Sequence, residues 1–113
     1  MEPSLSEVNA LRSDQALDAL GNPVRRHILH LLSEHPRSVV EIANLLPISR
    51  PAVSKHLKIL QDASLVSFES VGTQHVFSVD LTGMEEARGW LNHFWEVALL
   101  RFKLVAENLT ETP

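Results

Sequence analysis

The chain has 113 residues, 44% hydrophobic and 21% charged, which bounds it to one domain with enough apolar side chain for a core. A formal net charge of −4 argues at first sight against a nucleic-acid binder, since such domains tend to be basic. The absence of cysteine excludes disulfides, thiolate metal sites, Fe–S clusters and a cysteine nucleophile.

The opening Met1-Glu2-Pro3-Ser4 is acidic and polar, unlike a signal or transit peptide. No apolar run approaches the ~20 residues of a membrane span, so a soluble cytoplasmic protein is expected. Leu5, Val8, Leu11, Ala16 and Leu20 recur at three- to five-residue steps, which predicts a first helix over Leu5–Leu20. Gly21 would end it in a left-handed conformation. Asn22 caps a second helix with Pro23 at its first position; it runs to about Glu34 and buries Val24, Ile28, Leu31 and Leu32. His35-Pro36 breaks it. Ser38 to Glu41 is a capping box for a short third helix, about Val39 to Leu46, with Ile42, Ala43 and Leu46 inward. Ser49 caps a fourth helix (49–62), in which Val53, Leu57 and Leu60 form one apolar stripe. Val66, Phe68, Val76 or Phe77, and Val79 then mark two strands turning at Gly72. Thr82 to Glu85 reads as another capping box, opening a long helix from about Met84 to Asn108. The fold class is mainly α with a small β-hairpin, in the order α-α-α-α-β-β-α.

Two helices joined by a tight turn, the second with one clean stripe, describe a helix-turn-helix. Ala43 is small where those helices cross. The other faces of the fourth helix carry Arg50, Ser54, Lys55, Lys58 and Gln61, donors for phosphates and base edges, and no acid interrupts Ser49 to Gln61. Residues 22–60 hold six cations against two acids, a net +4; the rest of the chain holds four against twelve, a net −8. The chain is bipolar, and its basic part coincides with the helix-turn-helix.

Leu20-Gly-Asn-Pro-Val-Arg-Arg-His-Ile-Leu29 and the segment Glu41 to Leu60 resemble the ArsR-type winged helix-turn-helix repressors of bacteria and archaea, most specifically at Ser49-Arg-Pro-Ala-Val-Ser-Lys-His-Leu57. The resemblance spans about residues 10–108. The long last helix, with Trp90-Leu-Asn-His-Phe-Trp95, is similar to the branch without a metal site. The resemblance implies a homodimeric DNA-binding regulator, usually a repressor, with the fourth helix in the major groove of a palindromic operator. Ser49, Arg50, Pro51, Ser54, Lys55 and His56 match its recognition-helix positions. His56 is read either as a packing residue or as a phosphate contact, one nitrogen capping the packing while the other reaches DNA. Of Arg25 and Arg26, one is expected to brace the bundle and the other to touch the DNA backbone.

Two features depart from the family pattern. The hairpin tip, Glu69 to His75, has no Lys or Arg, so only Gln74 and His75 could donate, and a shallower salt dependence follows. Ser64 stands where the family usually has Gly; a left-handed Ser costs about 1 kcal/mol, so the end of the fourth helix is expected to rearrange. His27 with His30 and His93 with Glu96 are pairs one turn apart, short of the roughly four ligands zinc wants, so neither metal nor cofactor is expected.

Four of the six aromatic residues (Trp90, Phe94, Trp95 and Phe102) fall within the last helix. A helix of about 25 residues spans ~37 Å, which a small domain cannot cover on both sides. A twofold dimer through Leu11, Trp90, Leu91, Phe94, Trp95, Ala98, Phe102 and Val105 is expected, with 22–80 as the DNA-binding core and 5–20 and 84–108 as dimerisation helices. The partners expected are therefore duplex DNA and a second copy, with no membrane. The alternatives are a winged-helix protein-interaction module without DNA binding, favoured by the acidic total, or a His/carboxylate metal-responsive repressor. Enzyme signatures such as G-x-S-x-G or a phosphate loop are missing.

Overall fold

The structure, a computed structural model, describes residues 2–110. The elements are α1 (Leu5–Leu20), α2 (Pro23–Glu34), β1 (Arg37–Ser38), α3 (Val39–Leu45), α4 (Arg50–Asp62), β2 (Val66–Val71), β3 (Gln74–Val79) and α5 (Leu81–Thr110). Helices α2, α3 and α4 pack round one core, closed by an antiparallel sheet in the order β1-β3-β2.

Side-chain caps set the helix starts. Ser4 and Ser38 each accept from the backbone N–H of a glutamate three residues on, Glu7 and Glu41, whose carboxylate accepts in return from the cap's own N–H. Asn22 Oδ1 accepts from Val24 and Arg25, with Pro23 first in α2. Ser49 Oγ accepts from Ala52 N–H at 3.3 Å. Inside, Ile28, Ile42, Val53, Leu57, Leu60, Leu65 and Val66 are fully buried. Each gains about 1.5–3 kcal/mol over exposure. Ala43, Leu46 and Ile48 pack on this core from α3 and the turn.

Several expectations change. The two-residue strand β1 is an addition to the predicted order; it pairs Arg37 with Phe77 and Ser38 with Val76, and is too short to show a periodicity. In α2 the buried set is Ile28, Leu29 and Leu32, with Leu31 only half-buried. Gly21 is right-handed at φ −72°, and its N–H donates to Asp18 O. The last helix starts at Leu81, ahead of the proposed Thr82 box: Asp80 Oδ1 accepts from Thr82 N–H, while Glu85 pairs with Arg88 at 3.5 Å. The end of α4 does not rearrange. Ser64 takes the left-handed conformation at φ 56° and its carbonyl accepts from Gly83 N–H at 2.8 Å. That contact explains Gly83: a Cβ there would lie 2.3 Å from Ala63 O and 2.7 Å from Ser64 O. The turn after α4 is thereby pinned to the start of α5.

Helix α5 has 30 residues, about 45 Å. Its first turns lie against α1, where Ser13 Oγ donates to Glu86 O and Ala16 and Ala87 are buried. The remainder projects, so the radius of gyration is 19.2 Å, against ~13 Å for a compact chain of this length. No described helix is long and apolar enough to cross a membrane.

Candidate nucleic-acid interface

Burial of Val53, Leu57 and Leu60 fixes the rotation of α4. At 3.6 residues per turn, Arg50, Ser54 and Lys58 then form one outward row with Lys55 beside it, and all four are exposed. Pro51 is exposed in the first turn and offers only its ring. The oxygen of Ser49 is engaged as the cap, leaving its hydroxyl proton free to donate.

The six cations of residues 22–60 are not equally available. Arg25 donates from Nε to Ala19 O at 2.7 Å and from a terminal nitrogen to Asp18 O; Arg26 donates to Leu20 O at 2.7 Å. Both arginines thus satisfy the carbonyls that end α1 and oppose its negative dipole end. Where one brace was expected both arginines brace the end of α1, and each keeps guanidinium N–H groups that make no hydrogen bond among the described residues. Arg37 donates to Leu31 O and pairs with Glu34. Lys58 pairs with Asp62 at 2.8 Å: the acid-free run of α4 ends one residue short of the helix end, and the next acid reaches back. Arg50 and Lys55 carry no hydrogen bond or ion pair among the described residues. They are the uncommitted cations of the face.

His56 lies on the flank of α4, half-buried, next to α2. Its Nδ1 is buried without a hydrogen-bond partner, so the inward nitrogen caps nothing, contrary to the expectation. Burial first, then the charges of Arg25 and Lys55, holds its pKa below the usual histidine value and favours the neutral ring.

The hairpin β2–β3 stands beside this face and turns at Gly72, φ 62°. Gln74 and His75 are exposed on β3. The His75 ring stacks on Phe68 at 4.2 Å and 14°, and Phe68 leans on Phe77 at 5.4 Å. Phe68 lies opposite Phe77 and diagonal to His75 in the ladder, the geometry that lets large rings meet. Sequence reasoning missed this aromatic ladder, which the strand register alone would have revealed. It stiffens a wing that has no cation.

The face expected to dimerise is uncovered. Leu11, Trp90, Leu91, Phe94, Trp95, Phe102 and Val105 are exposed, Phe102 to 73%, and Ala98 is half-buried. Trp90 and Phe94 stack at 5.5 Å along the helix. Leu99, Leu100, Leu104 and Leu109 are also exposed and widen the face beyond the predicted set. The two pairs weighed as metal ligands do not come together. His27 and His30 line a mainly apolar groove of about 420 Å³ with Leu31, Leu45 and Ile48, and His30 lies 3.8 Å from Glu34; His93 and Glu96 are exposed on α5. No three His, Asp or Glu side chains cluster among the described residues.

The profile of the arsR family of bacterial regulatory proteins matches residues 22–67, from the α2 cap to the start of β2. The HTH-type transcriptional regulator Rv2034 of Mycobacterium tuberculosis is 45% identical over 86 residues, 76% of this chain and 80% of that protein. The transcriptional repressor SdpR of Bacillus subtilis is 33% identical over 76 residues, covering 67% and 84%. The fold matches a Mycobacterium bovis structure described as a homodimeric winged helix-turn-helix DNA-binding domain, with a TM-score of 0.67 at 23% identity, over 94% of this chain and 93% of that one.

Proposed function

The chain belongs to the ArsR family of bacterial transcriptional regulators and has its winged helix-turn-helix DNA-binding fold, and from that premise we propose that it is a homodimeric, sequence-specific repressor. Helix α4 enters the major groove, and Arg50, Ser54 and Lys55 meet base edges and phosphates. Ser49, Pro51, His56 and Lys58 border that contact, while Gln74 and His75 approach the backbone from the wing. Residues 22–80 are the DNA-binding core. Helices α1 and α5 carry the dimer contact and set two α4 helices about one DNA turn, ~34 Å, apart, which matches a palindromic operator. Occupancy of that operator blocks polymerase.

The observation that carries the reading is the outward face of α4, acid-free from Ser49 to Gln61, with Arg50 and Lys55 uncommitted. The repressor role is supported by the name of SdpR, and the dimer by the description of the Mycobacterium bovis domain and by the uncovered aromatic face of α5. A gel shift against the DNA upstream of the protein's own gene tests it. Arg50→Ala and Lys55→Ala should each weaken the shifted complex. Parent-like binding by both variants refutes the assignment of α4.

A further inference from the structure

Lys58 ends the outward row of α4 that Arg50 and Ser54 begin, where a cation would meet a phosphate, yet its ammonium lies 2.8 Å from the Asp62 carboxylate. Asp62 is the last residue of α4. A negative charge there faces the negative end of the helix dipole. The order is also the weaker one for a helical ion pair, with the acid C-terminal to the lysine. Both side chains are largely exposed, 69% and 50%, and pairs of that kind contribute little to stability. Helix stability therefore gives no reason for an acid at this position. Its evident effect is on Lys58. Arg25, Arg26 and Arg37 are tied to backbone carbonyls, whereas the Lys58–Asp62 pair stands in solvent on the face that approaches DNA.

We propose that Asp62 is a specificity-determining residue: it competes with DNA phosphates for Lys58 and so withholds one cation per protomer from sequence-independent binding. The proposal rests on α4 being the DNA-reading helix. Non-specific affinity comes almost wholly from neutralised phosphates, while discrimination comes from base edges. Engaging Lys58 internally lowers the phosphate share of binding and leaves Arg50 untouched, so a larger fraction of the binding free energy at the operator depends on base sequence.

The test is fluorescence anisotropy with a labelled random-sequence duplex of about 30 base pairs, titrated across a potassium chloride series. Asp62→Asn keeps the shape and removes the charge. Non-specific affinity should rise about three- to tenfold at low salt, the combined effect of releasing two exposed, individually weak pairs per dimer. The salt slope should steepen by about 1.8, for two further phosphates at ~0.9 each. Asp62→Ser should do the same, and the double variant Lys58→Ala/Asp62→Asn should lose the gain. A parent-like slope in Asp62→Asn overturns the proposal. So does a steepening that survives in the double variant, which would be an effect of bulk charge. Arg50→Ala, titrated instead against the duplex upstream of the protein's own gene, separates the two readings: if it costs no affinity there, the role of α4 itself fails, whatever Asp62 does.

Discussion

Phe94→Asp should convert the protein from dimer to monomer. The Phe94 side chain is 57% exposed in the isolated protomer. Of the roughly 200 Å² that a phenylalanine can bury, about 110 Å² is then available to a partner. At ~25 cal/mol per Å² its burial is worth about 3 kcal/mol per protomer. A twofold interface uses each residue twice, so the dimer loses about 6 kcal/mol, a factor of ~10⁴ in its Kd, before any penalty for an aspartate against Trp90. A nanomolar dimer becomes one of tens of micromolar. Sedimentation velocity at about 1 μM reads this directly, because the protomer is 12.6 kDa and the dimer twice that. Circular dichroism should show the helices retained, since Phe94 contributes nothing to the buried core. The variant should also bind operator DNA poorly, because one recognition helix reads only a half-site. A variant that sediments as the parent does refutes the use of this face.

The turn between α4 and β2 gives a second pair of expectations. Gly83→Ala should destabilise by about 3 kcal/mol in chemical unfolding, because its Cβ meets two fixed carbonyls; Ser64→Gly should stabilise by about 0.5–1 kcal/mol by relieving a left-handed serine. An unchanged midpoint for Gly83→Ala would show that α5 is not pinned there. His56 gives a pH dependence. Its folded pKa lies below the unfolded value of 6.5, so the unfolded chain takes up the proton first as pH falls. The contribution is full above about pH 6.5 and is lost as pH drops through the folded pKa. His56→Gln should flatten that acidic decline in the urea midpoint, and an unaltered decline would contradict the burial of Nδ1.

Most of the helix-turn-helix was legible in the sequence because its determinants are local. The Ser38 and Asn22 caps, the prolines in first turns and the spacing of Val53, Leu57 and Leu60 each fix their element within a few residues. What was not legible depends on residues far apart in the chain. Strand β1 exists only because Phe77 and Val76 lie alongside Arg37 and Ser38. Ser64 keeps the left-handed turn because Gly83, nineteen positions later, can approach its carbonyl. The charge partition located the basic half but overcounted its reach. Arg25 and Arg26 divide in one dimension between brace and phosphate contact, and only the end of α1 beside them shows that both donate to its last carbonyls. Lys58 reads as a phosphate donor in a window that closes at Gln61, one position before its partner Asp62.

The outward face of α4 is proposed to read base sequence. Selecting bound duplexes from a random pool, with the parent and with Arg50→Ala in parallel, tests it most directly. The parent should enrich a motif of two inverted half-sites about one helical turn apart. Preference should be lost in Arg50→Ala at the base pairs that Arg50 contacts, in both half-sites. Enrichment of the same motif to the same degree by both proteins, or no enrichment by the parent, would contradict it.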